Sequence, residues 1–425
     1  MHRLLLILPT TGYRAEAFVD AASRLDAAIT VASEEASSLA AFNPDGLVAI
    51  DFNDVTEAIR VVRPIHQRAP FDSVIGVDDA SVVLAAAIAE GLSLPSNSSA
   101  AVAAARDKVQ TRHMLRNAGV VGPRFAPFDI DENPEYLRPD FPFPWVVKPT
   151  MLSGSRGVIR ANSRREFVLA FQRVGALLRD EAAVAPLDEL MAAGSSNRCV
   201  LVEEFVPGPE MALEGILVDG RLEVLALFDK PDPLDGPFFE ETIYVTPSSL
   251  SENVRGRASA AVASAAAALG LHDGPIHAEV RLGWSQPVVI EINPRSIGGR
   301  CSRILRFGSG MSLEELLLRH ALQLPIPSPR LETGAAGVLM IPTPGEGEIL
   351  GIEGVAAALE VPGITEIDIT AHRGQFIRPL PEGSGYLGFV FARAETQEAV
   401  ISAIEKAHGK LRFRLSSTAA APRAA

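Results

Sequence analysis

The chain opens on a short apolar run, Leu4–Leu8, that stops at Pro9. An apolar run of this length between turn signals predicts a buried strand. Helix-period sequence follows from Tyr13 to Leu25. Three more short apolar runs, Ala28–Val31, Gly46–Asp51 and Ser73–Gly76, then alternate with helical sequence. This β–α–β–α rhythm predicts a small parallel sheet wound on both faces. Residues 1–100 are therefore expected to form an N-terminal α/β domain. No G-x-G-x-x-G follows the first strand, so no dinucleotide site is read there. The segment Thr10-Thr11-Gly12 reads as a plain strand–helix turn.

Beyond residue 100 the pattern changes. Helical sequence at Ala101–Asn117 gives way to strands at Trp145–Lys148, Val200–Val206, Met211–Val218, Leu222–Phe228, Ile276–Arg281 and Val288–Asn293. Runs of consecutive strands predict an antiparallel or mixed sheet. Gln323–Arg330, QLPIPSPR, reads as a linker. Short strands and a helix near Thr396–His408 predict a small C-terminal α+β domain over 331–416, and the tail Ser417–Ala425 is expected to be disordered. The fold class is thus mixed α/β and α+β, organised as 1–100, 101–325 and 331–416.

Composition narrows the function. A length of 425 residues suits about three domains. The 39 basic residues against 52 acidic give a net charge of −13, which argues against broad nucleic-acid binding but leaves room for a local cationic pocket. Two cysteines, Cys199 and Cys301, exclude a disulfide scaffold and a four-cysteine zinc site, and suit a reducing cytoplasm. The first apolar run is too short for a signal-peptide core, and no run reaches membrane-span length. The P-loop, H-E-x-x-H, C-x-x-C and G-x-S-x-G patterns are absent, and the eight histidines are scattered.

Two strands carry the strongest chemical signal. In HAEVRL, Glu279 shares a face with His277 and Arg281; in PVVIEINPR, Glu291 and Asn293 share a face. If these strands form a hairpin through Gly283–Gln286, the two carboxylates converge. Two carboxylates and an amide oxygen are hard donors suited to Mg²⁺. Glu291 sits within the apolar run VVIEI, a costly place for an unpartnered charge. A second signal is WVVKPTMLSGSRGV. Lys148 closes an apolar strand, and the small residues Ser153, Gly154, Ser155 and Gly157 can fold backbone N–H groups over phosphate, with Arg156 adding charge. The third is VEEFVPGPEMALEG. Here an edge backbone around Glu203, Glu204 and Val206 can meet a purine, and Glu210 can accept from ribose hydroxyls. Taken alone, the Gly/Ser-rich loop is also a common hairpin tip, the third segment reads better as a β-hairpin with surface glutamates, and Lys108 reads as a solvated helical lysine.

Their order gives them meaning. Lysine, strand-end lysine, Gly-rich loop, E-E-x-V hinge, glutamate, then E…E-x-N-P-R resembles the ATP-grasp superfamily over residues 101–310. The resemblance implies two α+β subdomains clamping ATP, with 146–206 as the nucleotide-clamping part. It implies that Lys108 and Lys148 contact phosphates and that Ser153–Gly157 close over them. Glu203 and Val206 would frame the adenine beside Glu204, and Glu210 would hold the ribose. Glu279, Glu291 and Asn293 would bind one or two Mg²⁺, with Mn²⁺ able to substitute, and Arg295 would stabilise an acyl-phosphate. The run Asn293–Arg300, NPRSIGGR, and the C-terminal domain look most like the L-amino-acid ligase branch of carboxylate–amine ligases.

The implied reaction is ATP-driven amide formation between a small carboxylate and an amine, through an acyl-phosphate. An ATP-grasp carboxylase or ring-forming ligase of nucleotide biosynthesis is the enzymatic alternative. A non-catalytic nucleotide-binding module fits less well, because every charged motif residue is retained. For substrate contacts the sequence offers Glu241 of the Glu240-Glu241 pair for an ammonium group, Arg303 or Arg306 for a carboxylate, and Gly298-Gly299 as open space. Expected partners are small molecules, not nucleic acid or membrane, and a homodimer is compatible with all of this.

Overall fold

Leu4, Leu5, Leu6 and Ile7 are fully buried, as a strand covered on both faces requires. In the computed structural model, which describes residues 1–10, 14–35, 46–184, 197–283, 285–383 and 385–416, they form β1 (Arg3–Ile7). The turn residues Thr11 and Gly12 and the tail 417–425 lie outside the described residues. Helix α1 (Ala15–Arg24) precedes β2 (Ala28–Ser33) and β3 (Leu47–Ala49); α2 (Val55–Arg68) precedes β4 (Ser73–Gly76). The strands pair in parallel, in the order β3-β2-β1-β4. Period-two alternation splits β1 between two cores: Leu4 and Leu6 pack with Phe18 of α1, while Leu5 and Ile7 pack with Val62 of α2 and Ile88 of α3 (Val82–Leu92).

The helical stretch expected as one run is broken in two. α4 (Ser99–Arg106) ends at Asp107, which caps α5 (Lys108–Asn117) by accepting from the N–H groups of Val109 and Gln110. Lys108 therefore stands at the first residue of a helix rather than on a helix flank.

An antiparallel four-stranded sheet follows, built from β5 (Phe125–Asp129), β6 (Trp145–Pro149), β7 (Ile159–Ala161) and β8 (Cys199–Glu204) in the order β5-β8-β6-β7. α6 (Arg164–Val184) covers it, with Phe167, Phe171 and Val174 against Trp145 and Val147.

The largest sheet begins with β9 (Glu210–Val218), β10 (Arg221–Asp229) and β11 (Ile243–Thr246). After α7 (Glu252–Ala268) come β12 (Gly274–Arg281) and β13 (Val288–Asn293), then α8 (Leu313–Ala321). The C-terminal segment adds β14 (Ala335–Met340), β15 (Gly347–Glu353), α9 (Val355–Leu359), β16 (Ile364–Ile369), β17 (Phe376–Ile377), β18 (Gly388–Ala394), α10 (Gln397–His408) and β19 (Arg412–Leu415). Eight strands share one antiparallel sheet, β13-β12-β9-β10-β11-β14-β18-β16, and three make a small sheet, β17-β15-β19. The sheet does not stop at the linker: β11 presents an open edge, and β14 covers it over four register pairs. The C-terminal α+β unit is thus fused to the central sheet. Among the described residues no helix is long and apolar enough to cross a membrane.

Candidate active site

A cavity of about 570 Å³ opens between the four-stranded sheet, the large sheet and the end of β4. Its floor is the β12–β13 hairpin. Glu279 faces Glu291 in register and His277 faces Asn293. Asn293 donates its amide N–H to Glu291 Oε1 at 3.3 Å, which leaves its carbonyl oxygen for a cation. Burial pushes the Glu279 carboxyl well above its usual range, and the carboxylates of Glu241, Glu210 and Glu291 add to this against Lys230. A divalent cation would relieve that crowding, so the donor set fits a hard metal ion.

The cations stand opposite. Lys108 Nζ lies 3.9 Å from Glu291 and donates to the Leu152 carbonyl at 2.9 Å. Lys148 is buried, 2.7 Å from Glu203, and Glu203 also accepts from Arg112 Nε at 2.7 Å. Arg112 reaches across to the Ile290 carbonyl on β13 at 2.5 Å. Burial pulls the Lys148 ammonium below the usual lysine range, with Glu203 opposing and Arg112 and Lys108 adding to the pull. Burial would raise Glu203, but Arg112 and Lys148 hold it low. The side chain of Glu203, expected beside an adenine, thus anchors two cations. The apolar slot is lined instead by Val146, Val158, Phe205, Val206, Leu234 and Phe239, with Glu204 at its rim on Arg124.

The Gly-rich loop divides. Ser153, Gly154 and Ser155 line the cavity, with Gly154 and Ser155 at φ of 64° and 57°. Arg156 and Gly157 face away. Arg156 binds Glu181 at 2.6 Å and the Glu382 carbonyl at 2.9 Å, and Gly157 N–H donates to the Pro381 carbonyl. Arg156 is therefore a tether to α6 and the C-terminal segment, not a phosphate ligand.

Glu210 lines the cavity, and its two oxygens also accept from Lys230 at 2.6 Å and Arg281 at 2.9 Å. Lys230, unnoticed in the sequence, is buried among Glu210, Glu241 and Glu279, 3.4 Å from the last, with its ammonium 4.8 Å from the Tyr244 ring. One oxygen from each of these glutamates lies within 4.8 Å of the others. Glu241 lines the cavity as expected, but it already accepts from Lys230 and from Tyr244 Oη. One signal could have found Lys230: the strand end FDKP, Phe228–Pro231, repeats the apolar-strand–Lys–Pro ending of VVKP, Val146–Pro149.

Arg295 is buried and donates to both oxygens of Asp79, at 2.7 and 2.8 Å; Asp79 also meets Arg106 at 3.3 Å. Asp79 comes from the N-terminal domain, just beyond the carboxyl end of β4. Ligand sites of open parallel sheets lie there, and the Asp78-Asp79 pair after that strand was the available clue. Gly298 and Gly299 line the cavity, whereas Arg303 does not. Arg303 pairs with Glu366 and Asp368, and Arg306 turns back to the Leu305 carbonyl. Of the arginines that follow Arg295 in this segment, Arg300 lines the cavity.

Comparison with known proteins agrees with this geometry. Residues 141–304 match the ATP-grasp domain, 19–96 the ATP-grasp N-terminal domain and 339–416 the L-amino acid ligase C-terminal domain 2. The fold and the matches place the chain in the ATP-grasp superfamily. Within it, the C-terminal match and the overall structure resemble the L-amino acid ligase branch. An L-amino acid ligase from Bacillus licheniformis superposes with a TM-score of 0.77 at 26% identity, covering 98% of this chain and 99% of that one. N5-carboxyaminoimidazole ribonucleotide synthetase from Thermotoga maritima shares the fold, with a TM-score of 0.68 at 17% identity over 98% and 100% of the two chains. Carnosine synthase 1 from Homo sapiens is 28% identical over 62% of this chain and 32% of its own length. Alanine–anticapsin ligase from Bacillus subtilis is 26% identical over 50% and 46%. The chain spans from about a third to just under two thirds of the length of the first curated relatives it matches.

Proposed function

We propose that the protein is an ATP-dependent carboxylate–amine ligase that joins an amino acid, or another small carboxylate, to an amine, releasing ADP and phosphate. One observation carries the reading. Lys108, Lys148 and Arg295 face the oxygen donors Glu279, Glu291 and Asn293 across one cavity. Phosphoryl transfer between anions needs this juxtaposition of cations and metal donors. The names of the relatives, carnosine synthase, alanine–anticapsin ligase and L-amino acid ligase, support the same class.

In this reading the adenine occupies the apolar slot around Phe205 and Phe239. Lys108, Lys148 and the loop 153–155 hold the phosphates. Glu279, Glu291 and Asn293 would hold Mg²⁺, or Mn²⁺ in its place, which when bound neutralises phosphate charge. A substrate carboxylate oxygen attacks the γ-phosphorus, and the bond to the ADP oxygen breaks. The amine nitrogen then attacks the acyl-phosphate carbon, phosphate leaves, and the nitrogen loses a proton. Arg295 offsets the charge developing on the transferred group. The loop, tethered through Arg156 to the C-terminal segment, covers the site and keeps water from the acyl-phosphate.

The test is phosphate release across a matrix of amino-acid pairs with Mg²⁺, with product masses read by mass spectrometry. A dipeptide mass with stoichiometric ADP is expected. ADP formation that requires bicarbonate and no amine would replace the reading with carboxylation, and ATP binding without turnover would leave only a nucleotide-binding module.

A further inference from the structure

One wall of the cavity is apolar, and the nucleotide and metal residues do not use it. Met340 on β14 and Phe389 on β18 are cross-strand register partners. Tyr386 stands just before β18, with its ring centroid 6.4 Å from that of Phe389. All three line the cavity although Met340 and Phe389 are only 4% and 6% exposed, so their reachable surface faces inward. Across from them is bare backbone. Gly299 adopts φ +60°, and a Cβ there would stand 3.2 Å from Phe389 Cε1. At Gly298 a Cβ would meet nothing nearer than Arg295 Nη1 at 3.9 Å. The Gly299 backbone therefore packs directly against Phe389, and the Gly298 position is the one that opens toward Arg295. At the edge stands Arg300, held by Asp368 through Nη1, with its Nε buried and without a hydrogen-bond partner.

We infer that this wall is the side-chain subsite of one amino-acid substrate, selecting a large apolar or aromatic side chain, with Arg300 holding a carboxylate of that ligand. The inference rests on the ligase reading and adds the substrate class. An α-amino acid with such a side chain is itself two-sided, and so is this end of the cavity. Its carboxylate would meet Arg300, and its apolar part would meet Met340, Tyr386 and Phe389. A charged side chain laid against Met340 and Phe389 would lose its hydration there.

The experiment compares kcat/KM for phenylalanine, leucine and methionine with alanine, serine, aspartate and lysine, each with a panel of partners, in the wild type and in Tyr386→Ala, Met340→Ala and the milder Phe389→Leu. The wild type should prefer the large apolar group over alanine by about a hundredfold or more, since each methylene in an apolar pocket carries roughly 10–200-fold. Each variant should erode that preference by about tenfold or more while KM for ATP stays put. A merely structural role would lower turnover for all substrates alike and leave the ratios unchanged, which would overturn the assignment. So would a wild-type preference for small or charged side chains. If no pair turns over, the ligase reading itself falls. Calorimetry of L-phenylalanine with the ADP-loaded protein then decides the subsite: binding weakened by Tyr386→Ala upholds it, and no binding to the wild type sinks it.

Discussion

Lys230→Met is the most demanding test of the electrostatic design. The ammonium is buried, 2.6 Å from Glu210 Oε1 and 3.4 Å from Glu279 Oε1, and bonded to Glu241. Methionine keeps most of the stem volume, so the perturbation is loss of one positive charge from among three carboxylates. Removing one partner from a buried ionic network costs about 3–5 kcal/mol, because the remaining charges stay buried and unpaired. The variant should lose that much in urea unfolding and show no ligase turnover. The three glutamates would still offer oxygens within 4.8 Å of one another, which is a hole for a hard divalent cation. Mg²⁺ or Ca²⁺ at about 100 times its dissociation constant should therefore restore about 2.7 kcal/mol, raising the Tm of the variant more than that of the wild type. Lower pH should also favour the variant, since protonation removes the like-charge conflict. An unfolding free energy within about 1 kcal/mol of the wild type, or an equal response of both proteins to divalent cations, would refute the reasoning.

Three further outcomes are expected. Glu291→Ala should abolish phosphate release while circular dichroism and Tm stay near wild type; near-normal turnover would remove Glu291 from the metal set. Arg303→Ala should cost far less activity than Arg300→Ala, because Arg303 does not line the cavity and reaches it only through Asp368, which also holds Arg300; an equal loss from the two would return Arg303 to the substrate site. Burial would raise Asp79, but Arg295 and Arg106 hold it well below the usual carboxylate range. A depressed acid stabilises above its unfolded pKa of about 4 and loses that contribution as pH falls further. Asp79→Asn should thus be less stable than wild type at neutral pH, with the gap closing on acidification; a pH-independent gap would mean that the carboxylate charge is not what matters.

What the sequence disclosed and what it withheld follow from range. Period-two and period-3.6 patterns are local, so the parallel β1 core and the β12–β13 hairpin were legible from a few residues each. Glu279 and Glu291 could be set opposite one another because a hairpin brings together residues close in sequence. Arg156 was misplaced for the same reason: its neighbours in sequence suggested phosphate, but its partners Glu181 and Glu382 lie 25 and 226 residues away. That Glu210 and Glu203 also hold Lys230, Arg281 and Arg112 could not be read locally, because these cations are distant in the chain. Carboxylate roles depend on which cation arrives, and only the fold decides that.

The site also depends on segments that a motif reading treats as accessory. Arg295 is oriented by Asp79, 216 residues upstream in the parallel-sheet domain, and that domain is further docked by Arg14, which donates to Ser296 Oγ at 2.5 Å. At the opposite side, the residues from Pro381 to Tyr386 touch two functional regions at once. Pro381 and Glu382 accept from the Gly157 and Arg156 ends of the phosphate loop, and Tyr386 stands on the apolar wall. Because β14 and β18 continue the sheet that carries Glu279 and Glu291, the wall and the proposed metal donors share one sheet, while the loop at 153–157 follows a strand of a different sheet. Through Pro381, Glu382 and Tyr386 the C-terminal unit therefore borders both the loop at 153–157 and the proposed side-chain subsite, so neither can be built from the central strands alone.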